Sequence, residues 1–140
     1  MTERSAAADL LRRRIRRAGP IGFDDFLDLA LYAPGAGFYE TGGAAGERGG
    51  HFLTSPEVGP LFGAVIARAL DEWWRGLGEP DPFVVVEAAA GAGTLCRAVL
   101  DAAPACTPAL RYLMVERSEA LRLRQPARLP IDPPRDVLGP

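Results

Sequence analysis

The sequence predicts an α/β fold: a helical N-terminal segment, then the first strand–helix–strand units of a doubly wound, mostly parallel sheet. Three observations predict it. Phe83-Val-Val-Val-Glu87 is a short continuous block of aromatic and β-branched residues, the pattern of a buried parallel strand. It runs into a turn of small residues with glycines at Gly91 and Gly93, after which a helix-like stretch begins at Thr94. A second apolar block, Tyr112-Leu-Met-Val-Glu116, follows and also ends in an acid. Helices alternating with short apolar strands make βαβ units.

The elements follow in order. Residues 5–18 form a first helix, with Ser5 as N-cap, Leu10, Leu11 and Ile15 as apolar positions and Gly19-Pro20 as the stop. It carries the run Arg12-Arg13-Arg14-Ile15-Arg16-Arg17, which reads as a solvated helix face. Glu3 and Asp9 speak against a targeting helix, since transit peptides are poor in acids. Residues 23–32 form a second helix, whose Phe23, Phe26, Leu27 and Ala30 share one face, and Pro34 ends it. Phe38-Tyr39 starts a short extended piece, and Thr41–Gly50, with five glycines in ten residues, is a flexible loop. The strongest helix runs over 60–75, with Gly59 as cap and Pro60 at its first position. Leu61, Phe62, Val65, Ile66, Ala69 and Trp73 are its expected core stripe. Beyond the first strand, Thr94 to Ala102 is a helix with Leu95, Val99 and Ala102 facing inward. Ser118 to Gln125 is another, capped by Ser118. The last fifteen residues hold five prolines and continue neither helix nor sheet. The chain thus divides into a helical region at 1–80, the start of a nucleotide-type α/β unit at 81–125 and a proline-rich end at 126–140. A doubly wound sheet needs more than two strands, so the chain reads as the front part of its domain.

Composition narrows the function classes. The 140 residues are 48% hydrophobic and 24% charged, enough for one domain with a real core. A net charge of −2 gives no overall electrostatic case for nucleic acid. All sixteen basic residues are Arg. Cys96 and Cys106 match no metal or disulfide pattern and read as buried free thiols. With a single histidine they do not make a zinc site. No apolar run has the roughly 20 residues that span a bilayer, and the N-terminus has no apolar signal core. These features predict a soluble, cytoplasmic protein with no membrane association.

The chemistry concentrates where the strands end. Glu87 closes the first strand, Gly91 and Gly93 shape the turn, and Glu116 closes the second strand 25 residues after Gly91. A strand-end acid at Glu116 can accept both hydroxyls of a ribose. Two ligand classes use this layout. A dinucleotide fingerprint needs a third small residue three positions after the second glycine, and Cys96 stands there. Glu87 before the turn repels a pyrophosphate and suits a cation. Acid, small turn and ribose acid in this order favour S-adenosylmethionine, which carries an ammonium and a sulfonium and no phosphate, over NAD.

Four segments resemble one family. Gly19-Pro20-Ile21 with Ala30-Leu31-Tyr32, Pro34 and Gly37-Phe38-Tyr39 is similar to its opening signature. Phe52-Leu53-Thr54-Ser55-Pro56-Glu57 with Leu61-Phe62-Gly63 is similar to its second, and Val86-Glu87 through Gly91-Ala-Gly93-Thr94-Leu95 to its third. Val115-Glu116-Arg117-Ser118 with Leu121-Arg122 and Arg124-Gln125 is similar to its fourth. Over residues 19 to 125 the chain resembles the MidA family of S-adenosylmethionine-dependent methyltransferases, whose mitochondrial members are complex I assembly factors that methylate a protein arginine. The resemblance implies a Rossmann-like class I methyltransferase domain, present here in its N-terminal part and truncated. It implies a cofactor site of Glu87, Ala89, Gly91, Gly93 and Glu116, bordered by Thr54 and Ser55. Glu57 is the candidate catalytic carboxylate, because a carboxylate can orient a guanidinium through paired N–H donors. As an acid at a helix start, Glu57 also has a plain structural reading.

Two positions depart from the family pattern. Ala89 replaces the first glycine of the turn, which Ala tolerates only at negative φ, and His51 stands where an acid is usual. The implied function is S-adenosylmethionine-dependent methylation of a protein arginine. The implied partner is a protein substrate, such as a respiratory complex I type subunit, and the implied location is cytoplasmic, or the mitochondrial matrix in a eukaryote. Two alternatives remain: an inactive homologue acting as an interaction or assembly module, with unpaired strand edges that favour a homodimer, and a fragment of an NAD-binding protein.

Overall fold

In a computed structural model of the chain, the described residues are 5–41 and 54–127, apart from the Glu57 side chain. Residues 42–50 of the loop expected at 41–50, His51 and most of the proline-rich end lie outside them. The elements are α1 (Ala6–Ala18), α2 (Phe23–Tyr32), α3 (Ser55–Val58), α4 (Pro60–Gly76), β1 (Phe83–Ala88), α5 (Thr94–Asp101), β2 (Leu110–Val115) and α6 (Glu119–Arg122). Among the described residues none of these helices is long and apolar enough to cross a membrane.

β1 and β2 pair in parallel, with Phe83 opposite Leu110 and Ala88 opposite Val115. The connection through α5 is the crossover that parallel neighbours require. Side chains alternate across a strand, so Phe83, Val85 and Glu87 share one face with Leu110, Tyr112 and Met114. That face is covered. Its core joins Phe83, Leu110, Tyr112 and Met114 to Ala67 and Leu70 of α4, to Cys96 and Val99 of α5 and to Cys106. Burying Leu110, Met114 and Val99 stabilises the fold by about 1.5–3 kcal/mol each.

The other face corrects the expectation of a fully buried strand. Val84, Val86 and Val115 are 53%, 59% and 45% exposed. In a doubly wound sheet a second helical layer covers such a face; here these three valines keep about half of their surface open.

The α4 stripe is also corrected. Gly63, Ala67 and Leu70 are buried, with Ile66 and Trp74 partly so, whereas Leu61, Phe62, Val65 and Trp73 are exposed. The buried stripe is offset from the expected one by one residue, about 100° around the helix. The cause is the close approach of α4 to α5: a Cβ built on Gly63 meets the Cβ and backbone of Ala98. Small residues, not the largest apolar ones, therefore set the contact. Two further ties hold α4. Trp74 Nε1 donates to the Pro80 carbonyl at 3.1 Å, and the Asp71 carboxylate accepts from the backbone N–H groups of Ala105 and Cys106, both at 2.9 Å. Burial pushes the Asp71 acid up, but those N–H donors and Arg75 outweigh it and hold the acid below its ordinary value.

On α5, Val99 is buried and Leu95 partly so, but Ala102 is exposed and Cys96 takes the inward position instead. Both cysteines are buried and free, as expected. α6 is shorter than predicted, with Ser118 as its cap: Ser118 Oγ accepts from the Leu121 N–H at 3.2 Å.

The N-terminal helices form as expected, although the Phe23–Phe26–Leu27 face remains 73%, 42% and 37% exposed. Phe38-Tyr39 is not extended. The N–H groups of Phe38 and Tyr39 donate to Ala30 and Leu31 carbonyls at 2.9 Å, folding the chain back over the end of α2. Gly37 makes this possible: a Cβ there would sit 2.5 Å from the Ala33 nitrogen and 2.6 Å from that of Tyr32.

Candidate functional site

At the carboxyl ends of β1 and β2 lies a cavity of about 520 Å³, within the range of small-molecule sites. Its floor is the segment Glu87–Ala92, and Glu116 and Arg117 line it beyond β2. Tyr32 and Tyr39 close it from the N-terminal region, Thr54 and Pro56 from the start of α3, and Leu121 and Arg124 from α6.

The turn is held from both of its neighbours. The Gly91 N–H donates to Glu116 Oε2 at 2.8 Å, and its carbonyl accepts from Gln125 Nε2 at 2.9 Å. The Ala90 N–H donates to the Val115 carbonyl at 3.1 Å. Gly91 and Gly93 are both left-handed, at φ 58° and 84°. Gly93 is the N-cap of α5 and is buried where a Cβ would meet Met114 Sδ at 3.3 Å. It serves the close packing of turn on strand and does not line the cavity.

Ala89 also has positive φ, at 55°. The expectation that an alanine here needs a negative φ is therefore wrong. The turn keeps its shape and the residue carries the strain, about 1–2 kcal/mol for a non-glycine residue in this region. Its neighbours impose it, since the N–H of Ala90 and both polar groups of Gly91 are already committed.

Glu116 is 8% exposed, and Ser118 N–H donates to its Oε1 at 2.8 Å. Each carboxylate oxygen thus accepts one backbone N–H and retains a second lone pair. Arg122 Nη1 steadies the segment from below by donating to the carbonyls of Glu116 (2.7 Å) and Arg117 (2.8 Å).

Glu87 lines the cavity from β1 and accepts from the Tyr112 hydroxyl at 2.8 Å. Burial raises its pKa, while the Tyr112 hydroxyl and the Cys96 N–H oppose the rise. Burial and the Glu87 charge push the Cys96 thiol up to about 12, so it stays neutral.

The N-terminal helices are latched to this rim. Arg117 Nη1 pairs with Asp28 at 2.7 Å, and its guanidinium lies 4.3 Å from the centre of the Tyr32 ring. The Ser118 hydroxyl donates to the Tyr39 carbonyl at 3.3 Å.

The cavity brings together Thr54, Glu87, Ala89, Gly91 and Glu116 among the residues expected from the sequence. Ser55 begins α3 and is exposed without lining it. The Glu57 side chain is outside the described residues. Sequence reasoning assigned no site role to Tyr32, Tyr39, Arg117, Tyr112, Arg124 or Gln125. Several of them stand in the segments that carry the family resemblance, which was the available signal. Among the described residues no cluster of His, Cys, Asp and Glu could hold a metal.

Known proteins are similar to this chain. A family model described as S-adenosyl-L-methionine-dependent methyltransferase matches residues 65–136. The mitochondrial protein arginine methyltransferase NDUFAF7 homolog of Drosophila melanogaster is 41% identical over 93 residues, 66% of this chain and 21% of that protein. The human NDUFAF7 is 32% identical over 90 residues, 64% of this chain and 20% of its own length. A solved structure from Burkholderia thailandensis, bound to S-adenosyl-homocysteine, aligns with a TM-score of 0.72 and 38% identity, over 88% of this chain and 33% of that one. The chain therefore spans about a fifth of the curated relatives and a third of the solved one. With the family model matching more than half of its residues, the chain belongs to the S-adenosyl-L-methionine-dependent methyltransferase family.

Proposed function

We propose that this chain supplies the cofactor-binding start of an S-adenosylmethionine-dependent methyltransferase acting on a protein arginine. The observation that carries the reading is one cavity lined by both strand-end acids, Glu87 and Glu116, with the Gly91 turn between them. Glu116 accepts the ribose hydroxyls through its remaining lone pairs. Glu87 faces the cationic amino-acid end, and Ala89, Gly91 and Gly93 keep the turn low enough for close approach. Thr54 borders the substrate entrance, with Ser55 next to it outside the cavity lining, and Glu57 orients the acceptor guanidinium. When bound, S-adenosylmethionine supplies an electrophilic methyl group; the protein's contribution is alignment and charge placement.

The cofactor unit begins near residue 81, with the helical region before it forming the rim. Support for the protein-arginine acceptor is the naming of the NDUFAF7 relatives, which are called protein arginine methyltransferases and mitochondrial. A complex I type substrate, a mitochondrial matrix location in a eukaryote and a cytoplasmic one in a bacterium follow from the same reading.

Calorimetry on the full-length gene product tests it. S-adenosylhomocysteine is expected to bind and NAD is not; binding of NAD alone refutes the reading. Mass spectrometry of a methylated protein substrate should place the mark on arginine, and Glu57→Gln should abolish it while cofactor binding persists.

A second reading draws on the open sheet face at Val84, Val86 and Val115. Apolar surface of this kind suits an assembly module or a homodimer. Concentration-dependent dimerisation without cofactor binding supports that reading over the first.

A further inference from the structure

We infer that Tyr112 is a positioning residue for the cofactor site: its hydroxyl holds the Glu87 carboxylate ionised and aimed at the charged, amino-acid end of the ligand. The inference rests on the functional reading above and assigns to β2 a role at a distance from the ligand.

Tyr112 is 2% exposed and pairs in register with Val85. Its side chain lies on the covered face, the same face as Glu87, and its hydroxyl reaches Glu87 Oε2 at 2.8 Å. A phenol this deeply buried needs a hydrogen-bond partner. Packing alone would be served by phenylalanine. The hydroxyl instead spends its proton on the one carboxylate of the sheet that opens into the cavity.

The surroundings of Glu87 make that proton consequential. From α5 the Cys96 N–H also donates to it, and the Cys96 thiol carries no charge. From β2 only Tyr112 among titratable groups touches it; its register partner, Met114, is apolar. Glu116, Arg117 and Arg124 line the same cavity, with Tyr32 and Tyr39 on its outer wall. No salt bridge to Glu87 is present among the described residues; two neutral donors stand against the desolvation that pushes its pKa upward. A carboxylate attracts an ammonium only while ionised, and a donor to the ionised form favours that form. Loss of the Tyr112 hydroxyl therefore weakens the site through Glu87, at the charged end of the ligand and not at the nucleoside end.

Two ligands separate the ends. S-adenosylhomocysteine carries the amino-acid group, whereas 5′-methylthioadenosine has the same nucleoside and lacks it. With the full-length gene product, Tyr112→Phe should weaken S-adenosylhomocysteine about tenfold at neutral pH, equivalent to about 1.4 kcal/mol. It should leave 5′-methylthioadenosine within about twofold. The pH profile provides a second readout. Binding of S-adenosylhomocysteine is lost as pH falls through the raised pKa of Glu87, and in Tyr112→Phe that loss should begin at higher pH. On a Glu87→Gln background, Tyr112→Phe should change neither ligand. Equal weakening of both ligands, or no weakening of either, overturns the inference. So does an unshifted pH profile, or a full Tyr112→Phe effect on the Glu87→Gln background. If wild-type protein binds neither ligand, the cofactor reading falls and takes the inference with it. If wild type binds both and Tyr112→Phe does not discriminate, only the inference falls.

Discussion

Two glycines of one helix should respond to alanine with opposite signs. Gly63 and Gly76 both lie in α4. Helix propensity alone favours alanine over glycine by about 1 kcal/mol at an interior position. At Gly76 a Cβ meets nothing within 4 Å, so Gly76→Ala should stabilise by up to that amount. At Gly63 the new Cβ would stand 2.6 Å from the Ala98 carbonyl carbon and 2.8 Å from its oxygen, besides meeting its Cβ. These are fixed atoms of α5, which itself packs on the sheet, so the clash is relieved only by moving a helix. Overpacking of this kind costs about 1–3 kcal/mol. The close atoms are backbone, which places Gly63→Ala at the upper end, and the net loss after the propensity gain is about 2 kcal/mol. Urea denaturation followed by far-ultraviolet circular dichroism reads both variants. The midpoint should fall for Gly63→Ala and rise or hold for Gly76→Ala, with unchanged slopes. A Gly63→Ala protein as stable as wild type would refute the close approach of α4 to α5.

Three further outcomes are expected. Ala89→Gly should stabilise the chain by about 1 kcal/mol in thermal unfolding, because glycine removes the cost of φ 55° in the turn. Glu116→Gln leaves only one carbonyl acceptor for the Gly91 and Ser118 N–H groups; it should weaken S-adenosylhomocysteine at least tenfold in calorimetry and also reduce stability by about 1.5–3 kcal/mol. Asp71, with its pKa lowered, contributes stability that is present above the ordinary carboxylate range and lost as pH falls through its depressed value. Glu87, with its pKa raised, acts in the opposite sense: its contribution is present at low pH and lost as pH rises through its elevated value. Asp71→Asn should therefore lower stability at neutral pH and flatten the acid limb of a stability–pH curve.

The elements were legible because their signals are local. Gly19-Pro20 stops α1, Gly59-Pro60 starts α4 and Ser118 caps α6, each through backbone chemistry contained within a few residues. Part of the cavity lining was legible in the same way. Glu87, Gly91 and Glu116 stand at strand ends, and parallel pairing brings strand ends together. What escaped depends on partners remote in sequence. Tyr32 and Tyr39 reach the cavity because Arg117 and Ser118 latch the N-terminal helices to it, across as many as 89 positions. Tyr112 read as one more apolar strand residue, since the reach of its hydroxyl to Glu87 exists only once the strands are in register.

The α4 stripe and Ala89 mark the same boundary. Amphipathic periodicity specifies that a helix has a buried side, but large apolar residues do not decide which side. The depth to which a neighbour can approach does, and on α4 that depth is set by Gly63 against Ala98. At Ala89, local preference asks for negative φ, and three hydrogen bonds from the following two residues impose the left-handed form. Local chemistry thus suffices for the order of elements, their caps and the acids at the strand ends, because each arises from a few adjacent residues. The helix faces, the strained turn and the tyrosines around the carboxylates arise from contacts between distant segments, which exist only in the folded chain.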